Sequence, residues 1–109
     1  MMAPIDCPMT KTHGNTTWYR IVIECSGVPP EAGAQGAADI TRDFKERSWH
    51  RDAVCRWDGA RLILIAENDF DPSGLALMDE FSDEISACIK DGFDGDCRIV
   101  SITEIVPKA

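Results

Sequence analysis

Serine, histidine and aspartate stand close together at one point of the chain, where a nucleophile and its base could meet. Ser48, His50 and Asp52 carry the side chains of a hydrolytic triad, and imidazole exchanges protons near neutral pH. The chain lacks the G-x-S-x-G elbow that exposes a nucleophilic serine in the α/β-hydrolases. We therefore interpret His50 as an exposed loop residue, and no catalytic residue is assigned.

The five cysteines of the chain are not spaced as metal ligands usually are. No two of them form a Cys-x-x-Cys pair, which zinc and iron–sulfur sites commonly contain. Cys25, Cys55 and Cys88 fall on apolar faces of predicted elements, where a free cysteine behaves as a small hydrophobic residue. We expect these three to be buried thiols, and we predict neither a metal nor a cofactor.

Two glycine-containing segments depart from the patterns that bind phosphates or calcium. The glycines in 26–36 fit neither the dinucleotide fingerprint nor the P-loop. A calcium loop beginning at Asp91 would need glycine at its sixth position and glutamate at its twelfth, where the chain has Asp96 and Ile102. We interpret the first segment as a loop before a helix and the second as a polar turn.

The charge of the chain limits its partners. Its 109 residues include 19 acidic and 11 basic side chains, a formal net charge of −8. Nucleic acids and anionic membranes select basic surfaces, so this charge argues against both. No apolar run approaches the ~20 residues of a membrane span, and no secretory signal is visible. We therefore expect a cytoplasmic protein.

The segment 53–66 organises the predicted fold. Two short apolar strands flank Asp58-Gly59, a pair that favours the two-residue type I′ turn of a β-hairpin. Such a turn would place Trp57 opposite Ala60 and fix the register of both strands. Since side chains alternate along a strand, one face of the hairpin is wholly apolar and should lie beneath helices. The other face mixes aliphatic and charged side chains.

The remaining segments predict the order strand, helix, strand, strand, helix, strand. A first strand covers 18–25, a helix opens at Pro29 or Pro30, and a second helix covers about 72–90 with Asp71 as its cap. Right-handed crossovers then give an α+β fold, a ferredoxin-like βαββαβ sandwich. Its four-stranded antiparallel sheet carries both helices on one face, and the first and third strands are central.

The two ends of the chain are less well defined by pattern. Residues 1–16 show no periodicity and are predicted to be a flexible N-terminal tail, which leaves 17–107 as a single α+β domain. The last strand, 98–106, has no clearly apolar side. The sequence therefore does not decide which face of this strand is buried.

Helices on one side leave the other side of the sheet bare in a monomer. Aliphatic side chains rimmed by arginines and glutamates are typical of an interaction surface. We expect the chain to form a homodimer through this face, related by a two-fold axis. The predicted interface consists of Arg20, Val22, Glu24, Val54, Arg56, Arg61, Ile63, Ile65 and Glu67.

The leading hypothesis is a non-catalytic binding or regulatory module. One alternative is a small enzyme or small-molecule binder of the dimeric α/β-barrel type, with a polar pocket formed by Tyr19, His50 and Asn68. Another is an acidic adaptor for a basic protein partner. Its docking surface would lie on the second helix and consist of Asp79, Glu80, Asp83 and Glu84. A sheet that reads RNA needs several stacking aromatic residues, and the bare face offers only Trp18.

Overall fold

The computed structural model describes residues 17–89 and 96–105, which form one four-stranded antiparallel sheet and two helices. The predicted α+β class, with this sheet and these helices, is confirmed. The strands lie in the order β2-β3-β1-β4, so β1 and β3 are central. The elements are β1 (Trp18–Cys25), α1 (Pro30–Lys45), β2 (Arg51–Trp57), β3 (Leu62–Asn68), α2 (Leu75–Cys88) and β4 (Cys97–Ile105).

Two of the predicted segments lie wholly or largely outside the residues that the structure describes. The predicted tail, 1–16, and most of the predicted polar turn, 91–96, lie outside the described residues. Within the described residues, neither helix is long and apolar enough to cross a membrane.

One hydrophobic core lies between the helices and one face of the sheet. Ile21 and Ile23 of β1 and Leu64 of β3 are fully buried, and they belong to one cluster with Phe44 of α1 and Phe81 of α2. The buried strand residues occupy alternate positions, which point to a single face. Both helices therefore pack on that face, and the opposite side of the sheet is not covered by either of them.

The β2–β3 hairpin is present, but its register differs from the predicted one. Trp57 lies opposite Leu62, two residues later than expected, and the turn 58–61 joins the strands. The Asp58 carboxylate accepts two backbone N–H groups of this turn, at 2.8 and 2.6 Å, and Gly59 has a φ of 98°. A type I′ turn needs positive φ at both central residues, which Asp58 does not have. Because the shift is even, the strand side chains keep their predicted faces.

Two β-bulges interrupt the alternation of side chains along the edge strands. In β2 the extra residue lies beside Asp52, whose φ is 54°, and the bulge brings Arg51 onto the face away from the helices. In β4 Val100 is the extra residue, so Ile99 and Ile102 both pack against the core. This bulge explains why neither alternating set of the last strand was apolar in sequence: each set mixes both faces.

Cys25 and Cys97 lie opposite each other on β1 and β4 and form a disulfide. The prediction that Cys25 is a free thiol is therefore wrong. The sequence could not show this pair, because cysteine pairing depends on the register between strands that are distant in sequence. Cys55 is a buried free thiol, and Cys88 is a half-buried one. Burial raises the pKa of Cys55 to about 12.

Helix α1 begins at Pro30, as predicted, and its small residues let it approach β2 closely. The Trp57 ring lies directly on Gly33, so a Cβ at this position would overlap the ring. At Gly36 a Cβ would meet only the flexible end of Ile89, at 3.2 Å.

We expect Gly33→Ala to lower the free energy of unfolding by about 1–3 kcal/mol, because the added methyl group must displace Trp57. Gly36→Ala is the matched control. It should be close to neutral, since its milder contact is offset by the better helix propensity of alanine, about 0.5–1 kcal/mol. Urea unfolding of both variants measures the difference. Equal effects of the two substitutions would contradict the close contact at Gly33.

Candidate functional site

The open sheet face, which is the side of the sheet away from both helices, is arranged in rows of side chains that cross the four strands. The strand registers place Val54, Ile65, Val22 and Ser101 in a central apolar row. The first charged row consists of Arg51, Glu67, Arg20 and Thr103. The second charged row consists of Arg56, Ile63, Glu24 and Arg98. Neighbouring rows are two residues apart along the central strands β1 and β3, about 6.8 Å.

Glu67 is the buried acid of the first charged row, and two arginines hold it. Arg20 donates to one carboxylate oxygen at 2.8 Å, and Arg51 donates to the other at 3.1 Å. The Arg51 guanidinium also lies 3.9 Å from the ring centroid of Trp18, a cation–π distance. A carboxylate that is 4% exposed needs such partners, because an unpaired charge removed from water is costly.

Glu24 is the buried acid of the second charged row and is bridged in the same way. Arg61 forms an ion pair with one of its oxygens at 3.0 Å, and Arg98 forms an ion pair with the other. These three side chains, with Ser26 and Asp96, line a cavity of about 340 Å³ at this end of the sheet. The cavity thus contains charges of both signs beside the Cys25–Cys97 disulfide.

The nine predicted interface residues all lie on or at the rim of the open sheet face, and the aliphatic ones among them are half-buried. Sequence reasoning did not include Arg51, because the bulge beside Asp52 conceals it. It also left out Arg98, since the bulge in β4 hides which side of that strand faces the core. Trp18 also lies on this face, against Arg51 and outside the predicted interface.

The three residues of the predicted polar pocket come together at the opposite end of the sheet from the cavity. Tyr19 lies opposite Asn68 in the β1–β3 register, and the Asn68 amide nitrogen is 3.4 Å from His50 Nδ1. Asn68 is fully buried, and its amide oxygen accepts the backbone N–H groups of Phe70 and Asp71. The hydrogen bonds of Asn68 to His50 and to these two backbone groups position the chain after β3, and Tyr19 adjoins them through its strand pairing alone.

His50 is buried, so the prediction of an exposed loop residue is wrong, and both of its ring nitrogens contact neighbouring side chains. Asn68 donates to Nδ1, and the proton on Nε2 is then directed at a carboxylate oxygen of Glu80, 3.1 Å away. Neither nitrogen is left for Ser48, and Asp52 is exposed at its bulge. The Ser-His-Asp arrangement considered from the sequence is therefore not assembled.

The predicted acidic docking surface on α2 is divided between two environments. Glu80 and Glu84 point toward Arg47, which lies 3.5 Å from the former and donates to the latter at 2.8 Å. Asp79 and Asp83 are exposed. Docking of a basic partner on this helix stays a prediction, and the outward charge available for it comes mainly from these two aspartates.

A cluster that the sequence did not predict joins the two helices. Ligand atoms of Asp43, Glu84 and Cys88 lie within 4.8 Å of one another. Burial, followed by the hydrogen bond to Asp43, raises the pKa of Glu84, and the same hydrogen bond lowers the pKa of Asp43. Burial raises the pKa of Cys88 to about 11. Arg47 forms an ion pair with Glu84 and Arg42 forms one with Asp43, so the cluster is explained as a helix–helix contact.

No known protein family, curated protein or solved structure matches this chain. The functional conclusion therefore depends on the geometry of its surfaces.

Proposed function

We propose that this protein is a non-catalytic binding or regulatory module whose binding surface is the open sheet face. The observation that carries the proposal is the apolar row, in which Val54, Ile65 and Val22 lie side by side between two charged rows. Neither helix covers these side chains, and each is only half-buried by its neighbours. An apolar centre with a polar rim is the usual pattern of a protein interface.

The buried glutamates add to this support. Glu24 and Glu67 each hold two arginines at the edges of the apolar row, so the guanidinium groups are fixed before any partner arrives. Long side chains that are already ordered lose less conformational entropy on binding. The ordering of these side chains therefore supports a binding role for the open sheet face.

A second copy of the chain is the occupant that the sequence predicts. If a second copy occupies the face, we expect the wild type to sediment as a dimer at micromolar concentrations. We expect Ile63→Glu to sediment as a monomer, because it places a charge in the interface. Leu75→Glu is the matched control, since Leu75 is exposed in the first turn of α2 and should not affect the dimer. A wild type that sediments as a monomer and is unaffected by Ile63→Glu would remove the homodimer.

Small-molecule binding is a second candidate function, and the cavity beside Glu24 favours it. Arg61 and Arg98 could hold an anionic group there, and Asp96 a cationic one, which suits a small ligand with both charges. A thermal-shift screen of small metabolites tests this candidate. A stabilising compound whose effect is lost in Arg61→Gln would support it, and a screen without a stabilising compound would count against it.

We also propose the finer classification of the fold as a ferredoxin-like βαββαβ sandwich. Its support is the order of the six elements and the central position of β1 and β3.

The cytoplasmic location expected from the sequence stays a prediction. The Cys25–Cys97 disulfide counts against it, because structural disulfides persist mainly in oxidising compartments. Mass spectrometry of the protein alkylated in cell lysate without reductant would show which state the pair has in its native compartment.

A further inference from the structure

We infer that the open sheet face binds an acidic protein segment that also carries aliphatic side chains, an inference that rests on the proposed function. Its first support is an uneven distribution of charge. The chain as a whole is strongly acidic, yet five of its seven arginines lie on or at the rim of this one face. They are Arg20, Arg51, Arg56, Arg61 and Arg98.

The positive excess is concentrated on one part of the face. At the cavity end, Asp58 and Asp96 lie near the arginines and offset much of their charge. Toward the β2 edge, Arg20 and Arg51 share the buried Glu67 carboxylate, and Arg56 lies opposite Ile63 in the second charged row. We call these three residues the arginine edge.

The arginine edge keeps donors that point to solvent. The side chains of Arg20 and Arg51 are 54% and 46% exposed although both contact Glu67. Arg56 is exposed and forms no ion pair with any residue that the structure describes. Asp52, next to Arg51 at the bulge, is exposed, and Asp58, two residues after Arg56, forms an ion pair with Arg61. The three arginines outnumber Glu67 and Asp52.

The chemistry of these rows favours one class of ligand. Guanidinium groups bind carboxylates through paired hydrogen bonds, and the apolar row between them accepts aliphatic side chains. The row spacing of about 6.8 Å equals two residues of an extended segment. A segment with acidic, aliphatic and acidic residues at alternate positions would therefore meet a charged row, the apolar row and the other charged row in turn.

Two other occupants fit these observations less well. A second copy would bring two arginine edges into the same interface, where like charges repel. A nucleic acid would need aromatic side chains for its bases, whereas the central row is aliphatic and Trp18 is already covered by Arg51.

A synthetic peptide tests the inference. We expect a capped peptide of three Glu-Glu-Leu-Leu repeats, in which each extended face alternates carboxylate and leucine, to bind the full chain in calorimetric titration. Its affinity should fall as salt is added. Arg56→Gln should weaken binding about threefold to tenfold, the loss of one charge-assisted contact. Arg42→Gln, which removes the same charge from the exposed side of α1, should leave the affinity unchanged.

Other peptides and an oligonucleotide define the contrary outcomes. The inference is overturned if the Glu-Glu-Leu-Leu peptide does not bind, or if a peptide of Lys-Lys-Leu-Leu repeats binds as tightly. It is also overturned if oligothymidylate binds more tightly than the acidic peptide and Arg56→Gln weakens that binding. If it fails while Ile63→Glu dissociates a wild-type dimer, the proposed function stands with a second copy as the occupant. If neither Arg56→Gln nor Ile63→Glu changes any association, both proposals fail.

Discussion

Joint replacement of Cys25 and Cys97 by alanine is expected to lower the free energy of unfolding by about 4 kcal/mol. The two residues are 72 positions apart in sequence, so their bond closes a long loop and removes many conformations from the unfolded chain. Alanine is preferred to serine because Cys25 is fully buried and a hydroxyl group there would need a partner. Urea unfolding without reductant measures the change.

Reductant provides the control for this prediction. Dithiothreitol should destabilise the wild type by a similar amount and should leave the double variant unaffected. This comparison separates the loss of the bond from the loss of two sulfur atoms in the core. A double variant that unfolds at the same urea concentration as the oxidised wild type would contradict a stabilising role for the Cys25–Cys97 bond.

The side of each strand that enters the core could be predicted from the sequence wherever the alternation is uninterrupted. Ile21 and Ile23 are buried while Val22 between them is not, and Leu64 is buried between Ile63 and Ile65. This pattern is a local property, because the burial of one face of a sheet selects apolar residues at every second position. It correctly separates the core from the open sheet face.

The exact register of the hairpin could not be predicted in the same way. The choice between a two-residue turn and the observed turn 58–61 depends on where the Asp58 side chain finds its hydrogen bonds. Both turns contain the same Asp-Gly pair and leave the same residues on each face. Composition and alternation therefore do not distinguish them.

The bulges and the disulfide depend on contacts between distant segments. Nothing near Val100 marks it as an extra residue until β4 is paired with β1. Likewise, five cysteines allow many pairings, and only that register brings Cys97 opposite Cys25. The same bulges conceal Arg51 and Arg98, so the sequence understated the basic character of the open sheet face.

The start of α2 has a different cap from the expected one. The sequence predicts Asp71 as the cap of a helix beginning at Pro72, whereas α2 begins at Leu75, after Gly74 with a φ of 77°. The Asp71 carboxylate still performs the capping role across this extra turn. It accepts the backbone N–H of Leu77 at 2.9 Å and that of Ala76 at 3.3 Å.

We expect Asp71→Ala to lower the free energy of unfolding by about 2–3 kcal/mol. Loss of a cap costs about 1–2 kcal/mol, and the substitution also leaves a buried N–H group at Leu77 without an acceptor. Asp71→Asn keeps one acceptor oxygen and should lose about half as much. Asp69→Ala, an exposed neighbour, should change stability by less than about 0.5 kcal/mol. Urea unfolding of the three variants gives these values.

Hydrogen exchange distinguishes the loss of the cap from a general loss of stability. In Asp71→Ala the amides of Ala76 and Leu77 should exchange faster than other amides of α2, because they alone lose their acceptor. Uniform acceleration along the helix would show that Asp71 acts through packing. Equal stability of Asp71→Ala and Asp69→Ala would show that the helix start is held by Gly74 and the core residue Leu77 without the carboxylate.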